Sequence, residues 1–181
     1  MIVAHLPAGY LISKLLWKRF QWCQRASQKA FLVAGVVGAV APDLDMLYFH
    51  LVDHRQHHHH SYFPHFPGLW IALLGISVLW VIYTRSPRAV LAIVFSLNGL
   101  VHMALDSVVG DIRWFAPLSD RSFSIATVPA VHQPWWLNFL LHWSFLLELS
   151  LVAAAVVVWR MIPGMLATRG PPAPPTRGRT F

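Results

Sequence analysis

This chain carries 7 Asp and Glu against 14 Lys and Arg and 11 His, and its carboxylates gather where the imidazoles are. Three places stand out: Pro42-Asp43-Leu44-Asp45, Asp53-His54-Arg55 with the histidine run that follows to Ser61, and His102-Met103-Ala104-Leu105-Asp106. Imidazole nitrogens mixed with carboxylate oxygens make the donor set of a borderline divalent cation, zinc first, with manganese or magnesium as alternatives.

The spacing sharpens that expectation. His102 and Asp106 are four apart in an apolar segment, so on a helix they project from one face, one turn apart, and can hold the same ion or bond each other. Ionisable groups inside apolar spans are rare and commonly functional. Asp43 and Asp45 follow a helix stopped by Pro42. In an extended segment residues two apart point the same way, which suits two oxygens on one or two ions. The stretch from His54 to His60 offers more imidazoles than one site needs, one or two of them ligands and the rest incidental. Arg55 beside it can grip an anionic group in a two-pronged geometry. His5 at the start of the first apolar helix and His142, about two turns into the last, are further candidates. Glu148 on that last helix requires a partner on another helix, with Asn98 among the candidates.

The elements that must position these groups are membrane helices. The chain has 181 residues, 56% of them hydrophobic, and a mean hydropathy of +0.53, more apolar than soluble globular proteins. Crossing a hydrocarbon core of about 30 Å takes roughly 20 helical residues, and residues 66–84, 88–108 and 135–161 satisfy that. Shorter apolar runs at 2–17 and 30–41 cross only with tilt or lie half-inserted. The expected fold is therefore all-α: a multi-pass transmembrane helical bundle of three long spans plus one or two shorter apolar helices, with no sheet. Residues 1–168 form one domain, and 169–181, rich in Pro, Gly and Arg, form a disordered tail. The single Cys23 excludes an internal disulfide and a cysteine-rich zinc site. Tryptophans at 70, 80, 114, 135, 136, 143 and 159 suit anchors near helix ends.

A formal net charge of +7 raises the question of nucleic acid, but the basic residues flank the apolar runs. Lys14, Lys18, Arg19, Arg25 and Lys29, then Arg85 and Arg88, then Arg160 and the arginines beyond it read as the orientation signal of an inserted protein, so no nucleic acid is expected. If those clusters are cytoplasmic, His5, residues 42–45, 53–61 and 106–121 all fall at the other face. That places the site at the extracytoplasmic side of the membrane, with membrane lipid as neighbour and lipid head groups or lipid-linked intermediates as natural substrates. The polar segment 110–121 is placed to cap it.

Taken in order, His5, Pro42-Asp43-Leu44-Asp45, His54-Arg55 followed by a His-Ser pair, His102-x-x-x-Asp106 and the Trp-x-x-Pro-x-Ser pattern from Trp114 resemble the YdjM family of membrane-bound metal-dependent hydrolases over about residues 1–125. The resemblance implies a metal-activated water attacking a phosphoester or acyl bond. It selects His5, Asp45, His54, His59 or His60, His102 and Asp106 as ligands, with Asp43 as a further ligand or base and Arg55 as a holder of anionic substrate. The family spacing after His54-Arg55 selects His59, whereas adjacency to Ser61 selects His60. A helical His-x-x-x-Asp among other ligands is also similar to zinc phospholipases C and single-strand-specific zinc nucleases. The rival from another class is a divalent metal transporter or metal-sensing membrane protein whose His-rich loop collects ions. Transporters place their sites near the midplane, and the candidates here lie at helix ends.

Overall fold

The computed structural model describes residues 1 and 3–161; the expected tail at 169–181 lies outside them. Seven α-helices run in chain order: α1 His5–Arg19, α2 Gln28–Val40, α3 Asp45–Leu51, α4 Pro67–Thr84, α5 Pro87–Asp106, α6 Trp136–Leu140 and α7 Ser144–Met161. No strand occurs among the described residues, only an isolated bridge between Ile112 and Phe123. The all-α multi-pass bundle is borne out. α4, α5 and α7 are each long and apolar enough to cross a membrane, and α2 forms a further apolar unit with Pro42–Leu51 across a 54° bend.

Local chemistry sets the helix starts. Ser27 and Ser86 accept hydrogen bonds at 3.2 Å from the backbone N–H groups of Ala30 and Arg88, which satisfies amides that have no partner within the helix. Proline opens both α4 and α5, where its missing N–H costs nothing. The expected last span, 135–161, is instead broken. α6 ends at Leu140 and α7 begins at Ser144, whose N–H donates to His142 Nδ1 at 3.4 Å. His142 thus lies in the turn between two helices rather than two turns into one.

α5 is the buried axis. Every fourth residue along it, Val90, Val94, Asn98, His102 and Asp106, is buried, so one stripe passes from apolar at the Arg88 end to ionisable at the other. α2, α4 and α1 pack around it. α2 comes close because Gly38 lies on the Phe95 backbone, where a methyl group would collide; small residues at such crossings let backbones approach. One apolar cluster (Cys23, Phe31, Val90, Val94) fills the basic end, and another (Trp70, Met103, Ile112) fills the opposite end beneath the polar groups.

The tryptophans divide into two kinds. Trp80, Trp135, Trp136, Trp143 and Trp159 are exposed, as anchors should be. Trp70 and Trp114 are internal: their indole N–H groups donate at 2.8 Å to Pro64 O and to Ser107 Oγ. Trp114 thereby helps fasten the 110–121 segment to the end of α5, together with the backbone bonds Ile125 N to Ser107 O and Ala126 N to Val108 O.

Candidate metal centre

The chain direction alternates, so the start of α1, the Pro42 bend after α2, the segment before α4 and the end of α5 meet at one end of the bundle. There Asp43, His65, His102 and Asp106 bring one ligand atom each to within 4.8 Å of one another. His102 Nε2 lies 3.0 Å from Asp106 Oδ2 and 3.5 Å from Asp43 Oδ1. His65 Nε2 lies 3.7 Å from Asp43 Oδ1 and 3.8 Å from Asp106 Oδ2. His60 Nε2 is 3.6 Å from Asp106 Oδ2, and His5 Nε2 is 3.1 Å from Asp106 Oδ1. The Met1 amine also pairs with Asp106 Oδ1. The His5 ring stacks on His102 with centroids 3.7 Å apart.

Three of the four inward histidines are oriented from behind. His102 Nδ1 donates to the Ala39 carbonyl at 2.7 Å, His60 Nδ1 to the Gly110 carbonyl, and His65 Nδ1 to the Asp45 carboxylate. With Nδ1 protonated and donating, Nε2 presents a lone pair. These nitrogens face carboxylate oxygens: His65 Nε2 is buried with no hydrogen bond of good geometry, and the buried His102 Nε2 lies within ion-pairing distance of Asp106. Nitrogens and carboxylate oxygens crowded into a desolvated pocket need a cation or a shared proton between them, and a second group fixing a metal-ligating histidine is the usual arrangement around an ion. The donor set therefore fits a divalent metal ion.

Behind this group, His59, His60 and His65 form a second set of potential ligands. Burial pushes the His59 ring down to about 4 and the His60 ring down to about 2, so both are neutral near pH 7, the form that binds metal. Gly110 is required beside them: an added Cβ would lie 2.7 Å from both His60 Cε1 and the Asp106 carbonyl oxygen.

The arrangement of His and Asp around α5 and the Pro42 bend is the one the sequence motifs share with a known family, and the whole-chain comparison decides the matter: residues 1–167 match the YdjM inner membrane protein family. The chain belongs to that family. No curated protein and no solved structure matches it. This YdjM chain is thus an integral inner membrane protein with a His/Asp group that could hold a metal ion. The match extends past the motifs at 1–125 through α7.

The structure brings together most of the residues singled out from sequence, but not all. His5, Asp43, His60, His102 and Asp106 meet around one point, and His59 lies just behind them. Asp45 is adjacent but turned away, bonded to His65. The segment after Pro42 is not extended: Pro42–Leu44 is a 3-10 turn and α3 starts at Asp45, so the two aspartates do not share a side. His54 and Arg55 contribute no atom to the group. Both are exposed with positive φ, and Arg55 Nε donates to His50 Nδ1 at 3.2 Å. Asp53 accepts from the His57 backbone at 2.9 Å. His142 is likewise outside the group, its Nδ1 2.9 Å from Ser144 Oγ.

His65 takes the place expected of His54, and the sequence reading missed it. It follows Pro64 beyond the histidine run, in the aromatic stretch before α4. The one available signal is that its neighbours Pro64 and Pro67 fix the chain as it enters a long apolar helix. Glu148 is resolved too. Its Oε2 accepts the backbone N–H groups of Val3 and, at 3.2 Å, Ala4, so its partners are amides at the start of α1 rather than Asn98. Asn98 instead donates to Val94 O at 2.8 Å and Ser13 Oγ at 3.4 Å.

Proposed function

We propose that this YdjM chain is a membrane-bound metal-dependent hydrolase acting at the extracytoplasmic face on a phosphoester or acyl bond, with membrane lipid its natural substrate pool. The observation that supports the reading is the convergence of the anchored His65 and His102 Nε2 atoms on Asp106 and Asp43, at 3.0 to 3.8 Å. In this reading His65, His102, Asp106 and Asp43 hold the ion, zinc before manganese or magnesium, with His60 and His5 completing its surroundings. A bound ion of this kind acidifies a water toward a pKa of about 7 and polarises the attacked phosphoryl or acyl oxygen.

The chain's own residues do the rest. Asp45, Ala39 O and Gly110 O fix the three rings so that no reorganisation is needed on binding. The Asp43 side chain is 37% exposed while those of His65, His102 and Asp106 are at most 2% exposed. Asp43 is therefore the group an incoming water or substrate meets, and the one placed to take a proton from that water. The water oxygen ends on the phosphoryl or acyl group, and a proton ends on the departing alcohol. The charge distribution supports the extracytoplasmic assignment: Lys18, Arg19, Lys29, Arg85, Arg88 and Arg160 flank the helix ends away from the cluster.

The test is metal analysis of the purified chain together with release of product from phosphoester and carboxylester lipids in nanodiscs. The reading expects bound metal and hydrolysis, both lost in His102→Ala and Asp106→Ala proteins that remain folded. Full hydrolysis by both variants removes the catalytic assignment, and metal flux into vesicles without hydrolysis replaces it with transport.

A further inference from the structure

An apolar groove of about 670 Å3 lies between the start of α1, the end of α2 and α7. At one end its wall is His5 and Asp43; the remainder is apolar apart from the Tyr10 hydroxyl, passing Val152 and Ala155 to Trp159. The length follows from the helix rise: Val152 to Trp159 spans about 10 Å at 1.5 Å per residue. α7 packs on α1, and Leu6 and Val156 on the groove rim are exposed, so the groove opens sideways toward lipid. Asp43 ties it to the cluster. It belongs to both, and it is the accessible member of a group whose other members are buried.

We infer that this groove holds one acyl chain of a membrane phospholipid while the ester next to that chain rests at Asp43 and the buried cluster. Only an amphiphile matches a lining with one charged end and a long apolar remainder, because a buried polar group must find a partner and a methylene chain gains from leaving water or contacting close-packed walls. A soluble substrate would leave the apolar length of the groove unused. The inference rests on the hydrolase reading for the meaning of the charged end, but binding in the groove can be measured without turnover.

The experiment places the full chain in nanodiscs of phosphatidylethanolamine and phosphatidylglycerol doped with a phospholipid carrying a diazirine midway along one acyl chain, and maps the photolabelled residues by mass spectrometry. Label at Tyr10 and Ala155 should exceed severalfold that at Ile76 and Ile82, which are exposed on α4. Dodecyl phosphate should suppress the groove label and spare the α4 label, whereas inorganic phosphate should affect neither. Ala155→Trp should remove the groove label with metal content unchanged; Val152→Phe serves the same purpose if the first variant does not fold. Equal labelling of groove and α4, or groove label indifferent to dodecyl phosphate, overturns the inference. A displaceable groove label in a protein without metal or hydrolysis overturns the hydrolase reading alone, whereas hydrolysis with an unlabelled groove overturns the groove alone.

Discussion

The Asp45–His65 bond offers the sharpest test of how the centre is built, through Asp45→Asn. Asp45 reaches His65 Nδ1 with both side chains at most 2% exposed, so water screens the interaction little. The amide can still accept the Nδ1–H bond, which keeps the tautomer, but it removes the negative charge that raises the basicity of Nε2. Loss of a group fixing a metal-ligating histidine costs about 10–100-fold in metal affinity, or ~1.4–2.8 kcal/mol, and the burial here favours the upper half of that range. Zinc titration against a competing chelator, on detergent-purified protein, reads this directly. His65→Ala should weaken binding further, because it removes the ligand itself. Unchanged affinity in Asp45→Asn would refute the orienting role. A loss as large as that of Asp106→Asn would make Asp45 a direct ligand instead.

The remaining predictions concern the same end of the bundle. Removing metal with a chelator should lower thermal stability: an ion present at 100 times its Kd contributes about 2.7 kcal/mol, and a melting curve that does not move with added zinc counts against a bound ion. For the metal-free protein, the His59 and His60 rings lie below their ordinary value in the folded chain, so the unfolded chain binds more protons as pH falls. Their neutral burial leaves stability unaffected above about pH 6.5 and erodes it progressively toward pH 4; chemical denaturation at several pH values should show that slope, and a flat profile across this window speaks against the burial of these rings. Gly110→Ala should force His60 or the Asp106 carbonyl to move, costing about 1–3 kcal/mol as an overpacked site and weakening zinc binding in the same titration.

The part of the centre readable in sequence was the part governed by local periodicity. His102 and Asp106 share a helix, so their spacing alone brings both to one face. Apolar run lengths likewise marked the three spans α4, α5 and α7, although not the break before the last of them. Residues in loops followed no such rule. His54, His59, His60 and His65 all precede α4, and only the packing of that segment against Gly110 and Asp45 selects which rings turn inward. The break at Leu141–Trp143 was invisible to hydropathy because the one polar residue in it, His142, is averaged out by the apolar runs on both sides. Asp45 was named for standing two residues from Asp43, but whether it faces the cluster or a histidine behind it depends on the 3-10 turn at Pro42–Leu44.

The pairing of Glu148 with the amides of Val3 and Ala4 ties the last helix to the first few residues of the chain. α7 supplies no donor to the cluster, yet it steadies the place where His5 leaves the backbone. That helix acts as a clasp, and losing the Glu148 contacts would free the short segment from which His5 projects.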